Sequence, residues 1–364
     1  MKTPERKEVR NFLPYVAGKP VEEVKRALGL KKVYKLASNE NPEGPSGKVI
    51  SAIKAALKDL NRYPDGESFY LKNEIAKKNR VSPSNILAGS GTDEIIELIA
   101  KTYLNPQDEI VVSRHAFIRY RMAGELMGSK VKTANMREYR HDLKAMLAAV
   151  TRRTKVVFIA NPNNPTGTYV DAREVGHYMK SVPAGVMTVF DEAYREYVEE
   201  ADFPSTVDYV KRGRNVIVLR TFSKIHSLAG LRVGYCIAPE PIIKSMNRIR
   251  PPFNVNTLAQ AAAAACLKEA GRLKRCRGLV HGEKKRLERE LDRLGVEYVP
   301  SVTNFMLIKC GNGGEMFKKL LSDGIIVRAM DEYELPGWIR VTVGKKNEND
   351  AFLRSFKKNL NEKS

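Results

Sequence analysis

The most constraining feature of this sequence is an alternation of short apolar runs with longer amphipathic stretches that begins near Val81. The apolar runs are rich in β-branched residues and have the length of buried strands. We predict strands over residues 85–88, 109–112, 155–160, 185–190, 215–220 and 233–238. Because strands separated by helices usually pair in parallel, the pattern predicts an α/β fold with a mostly parallel sheet.

The texture of the chain changes near residue 251, where two consecutive prolines interrupt any helix. An alanine-rich helical stretch follows over 258–268. Beyond it, predicted strands and helices alternate again, with strands at 304–309, 325–327 and 338–342 and helices at 315–322 and 350–358. This pattern indicates a second, smaller α/β unit, and a chain of 364 residues has room for about two domains.

The chain is strongly basic, with 63 Lys and Arg against 42 Asp and Glu and a formal charge of +21. Such an excess raises the possibility of a polyanionic partner such as nucleic acid. The densest basic stretch, residues 268–293, interleaves its basic residues with Glu and Asp at helical spacing. That pattern is typical of a solvated helix face, so we predict no nucleic-acid partner.

Segments for membrane insertion and residue clusters for metal binding are not recognisable in the sequence. No apolar run approaches the roughly 20 residues that cross a bilayer, and the first residues have no secretory pattern, so we expect a cytoplasmic protein without membrane contact. We expect no protein-built metal site, because no His/Cys cluster has ligand spacing. The four cysteines are too few and too separated for a disulfide framework: Cys236, Cys266, Cys276 and Cys310.

Four unusual runs stand where predicted strands end, which is where open α/β sheets bind their ligands. The first is Asn-Pro-Asn-Asn-Pro-Thr-Gly over 161–167, and the second is Asp-Glu-Ala-Tyr over 191–194. The third is Thr-Phe-Ser-Lys over 221–224, with Gly-Leu-Arg-Val-Gly close behind it over 230–234. The fourth is the Gly-Ser-Gly-Thr-Asp turn over 89–93. Together these runs suggest a single cofactor.

In this order the runs resemble those of the fold-type I, class II aminotransferases, which use pyridoxal phosphate, and the resemblance extends nearly end to end. The branch that the chain resembles most is that of the histidinol-phosphate aminotransferases. Runs typical of this branch are Pro-Tyr at 14–15, Gly-Lys-Pro at 18–20, Leu-Ala-Ser-Asn-Glu-Asn-Pro at 36–42, Arg-Tyr-Pro-Asp-Gly at 62–66, Pro-Phe-Asn-Val-Asn at 252–256 and Leu-Pro-Gly-Trp-Ile-Arg-Val-Thr-Val-Gly at 335–344.

The resemblance implies a large domain, over 36–252, that binds the cofactor on a mostly parallel seven-stranded sheet between helices. It also implies a smaller α/β domain over 253–364, joined by an N-terminal arm over 1–35. In this family the active unit is a homodimer with shared active sites, since Tyr63 reaches the phosphate of the neighbouring subunit's cofactor. The predicted dimer follows from the resemblance alone.

The matched residues also have roles that chemistry can explain. Lys224 is expected to hold pyridoxal phosphate as a Schiff base and to move a proton between the substrate Cα and the cofactor. Asp191 is expected to keep the pyridine nitrogen protonated, so that the ring withdraws electrons. Tyr194 and Asn164 are expected to donate hydrogen bonds to the cofactor's 3′ oxygen. We predict Lys224, Asp191 and Tyr194 as the catalytic residues.

The cofactor phosphate needs backbone donors and a cation, which a helix start and a guanidinium group can supply. We assign this role to Gly91, Thr92, Asp93, Thr221, Ser223 and Arg232. By alignment with the family, Phe117 stacks on the cofactor ring. His115 and Arg119 depart from the family's commoner sequence there, and their roles stay open, as does that of His226.

For the substrate, Arg340 matches the family's carboxylate-binding arginine, which forms a bidentate fork, and Arg328 would assist it. Tyr15 would join them at the phosphate of histidinol phosphate, and Asn39 completes the predicted substrate site. The predicted reaction converts histidinol phosphate and 2-oxoglutarate to imidazole acetol phosphate and glutamate in histidine biosynthesis. Aromatic amino acid aminotransferases and threonine-phosphate decarboxylases share the cofactor residues and remain the alternatives.

Overall fold

Fifteen strands and fourteen α-helices lie within residues 4–10, 12–15 and 18–361, the part of the chain that this computed structural model describes. The strands are β1 (Tyr34–Lys35), β2 (Ile86–Gly89), β3 (Glu109–Ser113), β4 (Lys130–Ala134), β5 (Met136–Arg137), β6 (Arg140–His141), β7 (Thr154–Ala160), β8 (Met187–Asp191), β9 (Val216–Thr221), β10 (Gly234–Ile237), β11 (Tyr298–Val299), β12 (Phe305–Lys309), β13 (Ile325–Ile326), β14 (Arg328–Ala329) and β15 (Trp338–Thr342). The helices are α1 (Lys7–Arg10), α2 (Val21–Leu28), α3 (Gly47–Ala56), α4 (Phe69–Asn79), α5 (Gly91–Tyr103), α6 (Ile118–Leu126), α7 (Leu143–Ala148), α8 (Ala172–Ser181), α9 (Val207–Lys211), α10 (Glu240–Asn247), α11 (Thr257–Leu267), α12 (Ala270–Arg293), α13 (Gly313–Ser322) and α14 (Lys346–Asn361).

A seven-stranded sheet forms the largest layer, with the strand order β2-β10-β9-β8-β7-β3-β4. Only β10 runs antiparallel to its neighbours, so the predicted mostly parallel sheet is confirmed. Six of the seven strands coincide with predicted apolar runs. The apolar pattern missed β4, which lies at the sheet edge and exposes Lys130, Lys132 and Thr133. Charged residues on an edge strand prevent pairing with other chains, and they also hide the strand from an apolar pattern.

Helices cover both faces of this sheet, because the central strands are apolar on both sides. In β7, Val157 and Ile159 belong to the apolar cluster that includes α3, α4 and α11. The intervening residues, Val156 and Phe158, belong to the cluster of α5, α6 and α10 on the opposite face. This alternation follows from the two-residue period of a strand. Because helices cover both faces, only the ends of the strands, which are polar, remain uncovered.

The C-terminal part of the chain forms an antiparallel four-stranded sheet with the order β11-β12-β15-β14. Helices α12, α13 and α14 share its apolar cluster. The N-terminal strand β1 pairs in parallel with β13, and the Leu36 N–H donates to the Ile326 carbonyl at 2.7 Å. The domain division at residues 36 and 252 stays a prediction. Helix α11, which follows it, packs in the cluster of the large sheet.

The basic stretch over 268–293 forms a helix, as its charge spacing indicates, and two of its basic residues lie away from the solvated face. Arg272 and Lys284 of α12 are buried. Each donates hydrogen bonds to backbone carbonyls, Arg272 to Gly44 and Lys284 to Ser301 and Thr303. Helical spacing alone does not reveal such partners, because the partners are distant in sequence.

Three further observations concern the described residues. The four cysteines are buried and form no disulfide. No helix there is both long and apolar enough to cross a bilayer. No group of three or more His, Cys, Asp or Glu side chains is arranged to hold a metal ion.

Candidate active site

A cavity of about 530 Å³ opens at the carboxyl ends of the central strands β7, β8 and β9. Its wall is completed by residues from the N-terminal segment and the four-stranded sheet. All but two of the predicted site residues line it: Tyr15, Asn39, Thr92, Asp93, Phe117, Asn164, Asp191, Tyr194, Thr221, Ser223, Lys224, Arg232, Arg328 and Arg340. The exceptions are Gly91, which begins α5 directly before Thr92, and Tyr63, which is 82% exposed.

Lys224 follows β9 by three residues and directs its amine into the cavity. Its Nζ donates to the Ser38 carbonyl at 2.9 Å. Burial lowers the pKa of this amine to about 8, and the nearby Arg340 guanidinium contributes to the same shift. A substantial fraction of the amine is therefore neutral close to physiological pH, as a nucleophile or a base requires.

Asp191 is the last residue of β8, and both of its oxygens are held. Oδ2 accepts from the Tyr120 hydroxyl at 2.7 Å, and Oδ1 accepts from the Ala193 N–H at 3.1 Å. Burial raises the pKa of the carboxyl to about 6. A cation brought against this carboxylate would offset the cost of its burial, so the site favours a protonated ring nitrogen. Tyr120, which lies one helical turn after Phe117, was not among the residues predicted from the sequence.

Tyr194 and Asn164 line the cavity and are held by residues that are distant in sequence. The Asn39 amide donates to the Tyr194 hydroxyl at 2.8 Å. Arg340 donates to Asn164 Oδ1 and, at 2.7 Å, to the Ala37 carbonyl. Burial raises the pKa of Tyr194 to about 12, so its hydroxyl stays protonated and can donate to an acceptor.

One end of the cavity is built for an anion. Helix α5 begins at Gly91 with a φ of +78°, and a Cβ there would lie 2.7 Å from Nη2 of Arg232. A glycine at this position therefore lets the guanidinium approach the positive end of the helix. Arg232 lies 3.4 Å from Asp93 Oδ2 and 3.5 Å from Ser223 Oγ. Backbone N–H groups, a hydroxyl and a guanidinium together form a phosphate-binding arrangement.

The three residues whose roles were left open have different surroundings. Arg119 lines the cavity and is paired with Glu97 at 2.7 Å and with Asp93 at 3.5 Å. His115 does not line it, because its Nδ1 is bonded to the Tyr333 carbonyl at 2.7 Å. Burial lowers the pKa of His226 to about 3, so this ring stays neutral, and it also lies outside the cavity lining.

Further charged residues line the cavity. The Arg328 guanidinium lies 5.4 Å from the centre of the Tyr15 ring and bonds to Glu332. Lys35 pairs with Glu40 at 2.8 Å, and both residues line the cavity. Neither Lys35 nor Glu40 was predicted to belong to the site, although Glu40 lies within the run over 36–42 that is typical of the histidinol-phosphate aminotransferases.

Comparison with known proteins gives a consistent family assignment. The family described as "Aminotransferase class I and II" matches residues 31–356. A histidinol-phosphate aminotransferase from Moorella thermoacetica is 46% identical over 357 residues, covering 98% of this chain and 92% of that protein. The corresponding protein of Caldicellulosiruptor saccharolyticus is 44% identical over 359 residues, covering 98% and 99%.

A crystal structure of a relative is also similar to this one. Histidinol-phosphate aminotransferase from Sinorhizobium meliloti, in complex with pyridoxal 5′-phosphate, superimposes with a TM-score of 0.91 at 28% sequence identity. The match covers 100% of this chain and 99% of that one.

Proposed function

Because the chain belongs to the class I and II aminotransferases, we propose that it transfers the amino group of histidinol phosphate to 2-oxoglutarate with pyridoxal phosphate as cofactor. The observation that carries this proposal is the meeting, in one cavity, of a partly buried amine, a buried carboxylate and an anion-binding helix start. The reaction belongs to histidine biosynthesis, and we place the enzyme in the cytoplasm on that basis.

The cavity fits pyridoxal phosphate group by group. Lys224 offers an amine for the aldehyde, Asp191 a carboxylate for the ring nitrogen, and the start of α5 with Arg232 a cup for the phosphate. A side chain at position 91 would meet the Arg232 guanidinium, so the glycine keeps this guanidinium beside the start of α5. When bound, the cofactor supplies a ring that withdraws electrons from the substrate Cα after its proton is lost.

The residues of this chain handle the proton and the ring. Lys224 Nζ would move a proton between the substrate Cα and the cofactor. This task requires an amine that titrates near neutral pH. Asp191 keeps the ring nitrogen protonated, with Tyr120 and Ala193 fixing its orientation. Tyr194 and Asn164 would donate to the 3′ oxygen of the bound cofactor, and Phe117 would pack against its ring.

Arginine supports the choice of a substrate with an anionic end. Arg340 is buried, and its Nε has no hydrogen-bond partner among the described residues. With Arg328 and Tyr15 it forms a cationic part of the cavity wall. The phosphate of histidinol phosphate and a carboxylate of 2-oxoglutarate can use this part in turn, as a ping-pong reaction requires.

An exposed aromatic surface supports a homodimer. Tyr63 stacks on Phe253 at 4.7 Å between ring centres, and neither ring is buried. Phe69 and Tyr70, a few residues along the chain, are 61% and 78% exposed. Aromatic groups grouped in this way on a surface favour coverage by another protein. We propose that a second copy covers them and that Tyr63 reaches the partner's cofactor phosphate.

The proposed substrate is tested by steady-state kinetics with 2-oxoglutarate as the amino acceptor. We expect kcat/KM for histidinol phosphate to exceed that for phenylalanine or tyrosine by about 100-fold, since a phosphate offers Arg340, Arg328 and Tyr15 more oxygens and more negative charge than a carboxylate does. Histidinol is the matched control, because it differs only by the phosphate. Equal or better rates with an aromatic amino acid, or release of CO₂ from threonine phosphate, would contradict the proposal.

A further inference from the structure

A buried lysine lies outside the cavity, and the proposed chemistry does not use it. Lys284 belongs to α12 and is 6% exposed, whereas the next residue, Lys285, is exposed. The Lys284 ammonium group donates to the Ser301 carbonyl and, at 3.2 Å, to the Thr303 carbonyl. Burial lowers the pKa of this amine to about 8. Burying a cation costs free energy. The burial of this ammonium group against two backbone carbonyls therefore requires a structural explanation.

These carbonyls belong to the 301–304 loop, which joins β11 to β12. One side of the loop touches the turn that carries Asn164. The Val302 N–H donates to the Gly167 carbonyl at 2.9 Å, and Gly167 ends the 161–167 turn. A Cβ on Gly167 would lie 2.7 Å from Cβ of Ser301, so the loop and the turn are in close contact.

The other side of the 301–304 loop touches the residue that holds Tyr194. The Asn304 amide donates to the Asn39 carbonyl at 2.9 Å. The Asn39 side chain in turn donates to the Tyr194 hydroxyl at 2.8 Å. The loop therefore contacts the supports of both residues that we assign to the cofactor's 3′ oxygen.

We propose that Lys284 is a positioning residue, which fixes the 301–304 loop and thereby sets the places of Asn164 and Tyr194 at the 3′ oxygen. This inference rests on the proposed function for the roles of those two residues. Lysine suits the task because its three N–H donors can serve two carbonyls at once. An apolar side chain of similar length would leave both carbonyls buried and unpaired, and the loop would shift to find other donors.

A positioning role and a purely structural role differ in what they change at the cofactor. Hydrogen-bond donors at the 3′ oxygen favour its charged form. They therefore lower the pKa that an absorbance titration of the cofactor, bound to Lys224, measures. If Lys284 acts only on stability, its loss lowers the melting temperature and leaves that pKa alone. If it positions Asn164 and Tyr194, the pKa rises.

The test compares Lys284→Met with Lys284→Gln, which keeps an N–H donor, and with Lys285→Met, which removes a neighbouring exposed charge. Each loaded enzyme is titrated by visible absorbance, and each cofactor-free protein is melted. For Lys284→Met we expect the titration midpoint to rise by about half a pH unit. We also expect a fall in kcat of about fivefold with a smaller change in KM. Lys284→Gln should lie between the parent and Lys284→Met, and Lys285→Met should match the parent.

A Lys284→Met protein that melts earlier but keeps the parent's midpoint and kcat would overturn the inference. If Lys284→Met does not fold, Lys284→Gln decides: a raised midpoint supports the inference, and a parental midpoint overturns it. The titration needs no substrate. A parent enzyme that binds the cofactor but rejects histidinol phosphate would therefore contradict the proposed substrate and leave this test valid.

Discussion

Burial lowers the pKa of both Lys224 and Lys284 to about 8, although Lys224 is only partly buried and Lys284 is 6% exposed. Their surroundings nevertheless differ. The Lys224 amine has one hydrogen bond, to the Ser38 carbonyl, and faces a cavity of about 530 Å³. The Lys284 amine serves two carbonyls and lines none of the cavity. A lowered pKa therefore does not by itself identify a reactive lysine, whereas a spare donor and open space beside it do.

The charges around the two lysines differ as well. After burial, the main influence on Lys224 is the Arg340 guanidinium, which lowers its pKa further. The corresponding influence on Lys284 is Glu288, which raises its pKa. The surroundings of Lys224 thus favour a neutral amine, while those of Lys284 help to retain a cation that bonds to carbonyls.

The largest expected effect is that of removing the reactive amine. Lys224→Ala should lower kcat on the order of 10⁴-fold, because no other group can move the proton at the substrate Cα. Initial rates with histidinol phosphate and 2-oxoglutarate measure this loss, and Lys285→Ala serves as the control. Activity within tenfold of the parent would remove the distinction between the two lysines.

Loss of the Asp191 carboxylate should have the next largest effect on kcat. Asp191→Asn keeps the shape of the side chain but cannot hold a ring nitrogen protonated, so we expect kcat to fall roughly 10²- to 10³-fold. We also expect weaker binding of pyridoxal phosphate to the cofactor-free protein, measured by fluorescence titration. Asp202→Asn, at an exposed carboxylate, is the matched control. Parental binding and rates in Asp191→Asn would refute this assignment.

The pH dependence of cofactor capture should show an effect of about tenfold per pH unit. Only the neutral amine of Lys224 can add to an aldehyde, and its pKa is lowered to about 8. The rate at which the cofactor-free protein captures pyridoxal phosphate should therefore fall tenfold for each pH unit below about 8. Stopped-flow absorbance measures this rate. Because the two pKa values coincide, the profile must persist in Lys284→Met, and its loss there would exchange the two roles.

The last effect is of similar size per pH unit and concerns the stability of the cofactor-free protein. Lys284 has a pKa of about 8 when folded and near 10.5 when unfolded, so the unfolded chain binds more protons between these values. The free energy of unfolding should thus rise with pH across that window, by up to about 1.4 kcal/mol per pH unit from this lysine. Urea unfolding at pH 8, 9 and 10 should show a smaller rise in Lys284→Met. An unchanged slope would show that Lys284 does not have a lowered pKa in the folded protein.

Much of the fold and site could be predicted because the signals are local. The strand at 155–160 is apolar on both faces, so its sequence reads as one continuous run. Asp191 stands directly after one such run and Lys224 four residues after another, where a parallel sheet gathers its ligands. The exposed edge strand β4 carries no such signal, since Lys130 and Lys132 interrupt it.

The supporting contacts could not be predicted, because they join residues that are far apart in sequence. The bond from Tyr120 to Asp191 spans 71 positions, and that from Asn39 to Tyr194 spans 155. The charge pattern of α12 predicted its helix but not which lysine turns inward. That choice depends on unpaired carbonyls in the 301–304 loop, and a helical pattern contains no information about them.

The joining of the N-terminal segment to the last strand has a consequence for how the enzyme is made. The Asn39 N–H donates to Thr342 Oγ1 at 2.9 Å, and Arg340 donates to the Ala37 carbonyl at 2.7 Å. A ribosome must therefore release residue 342 before this wall of the cavity can close. For roughly ten seconds after Lys224 emerges, at usual rates of synthesis, the nascent chain carries its reactive amine without Arg340. Stable loading with cofactor must therefore wait until the strand that carries Arg340 has been made.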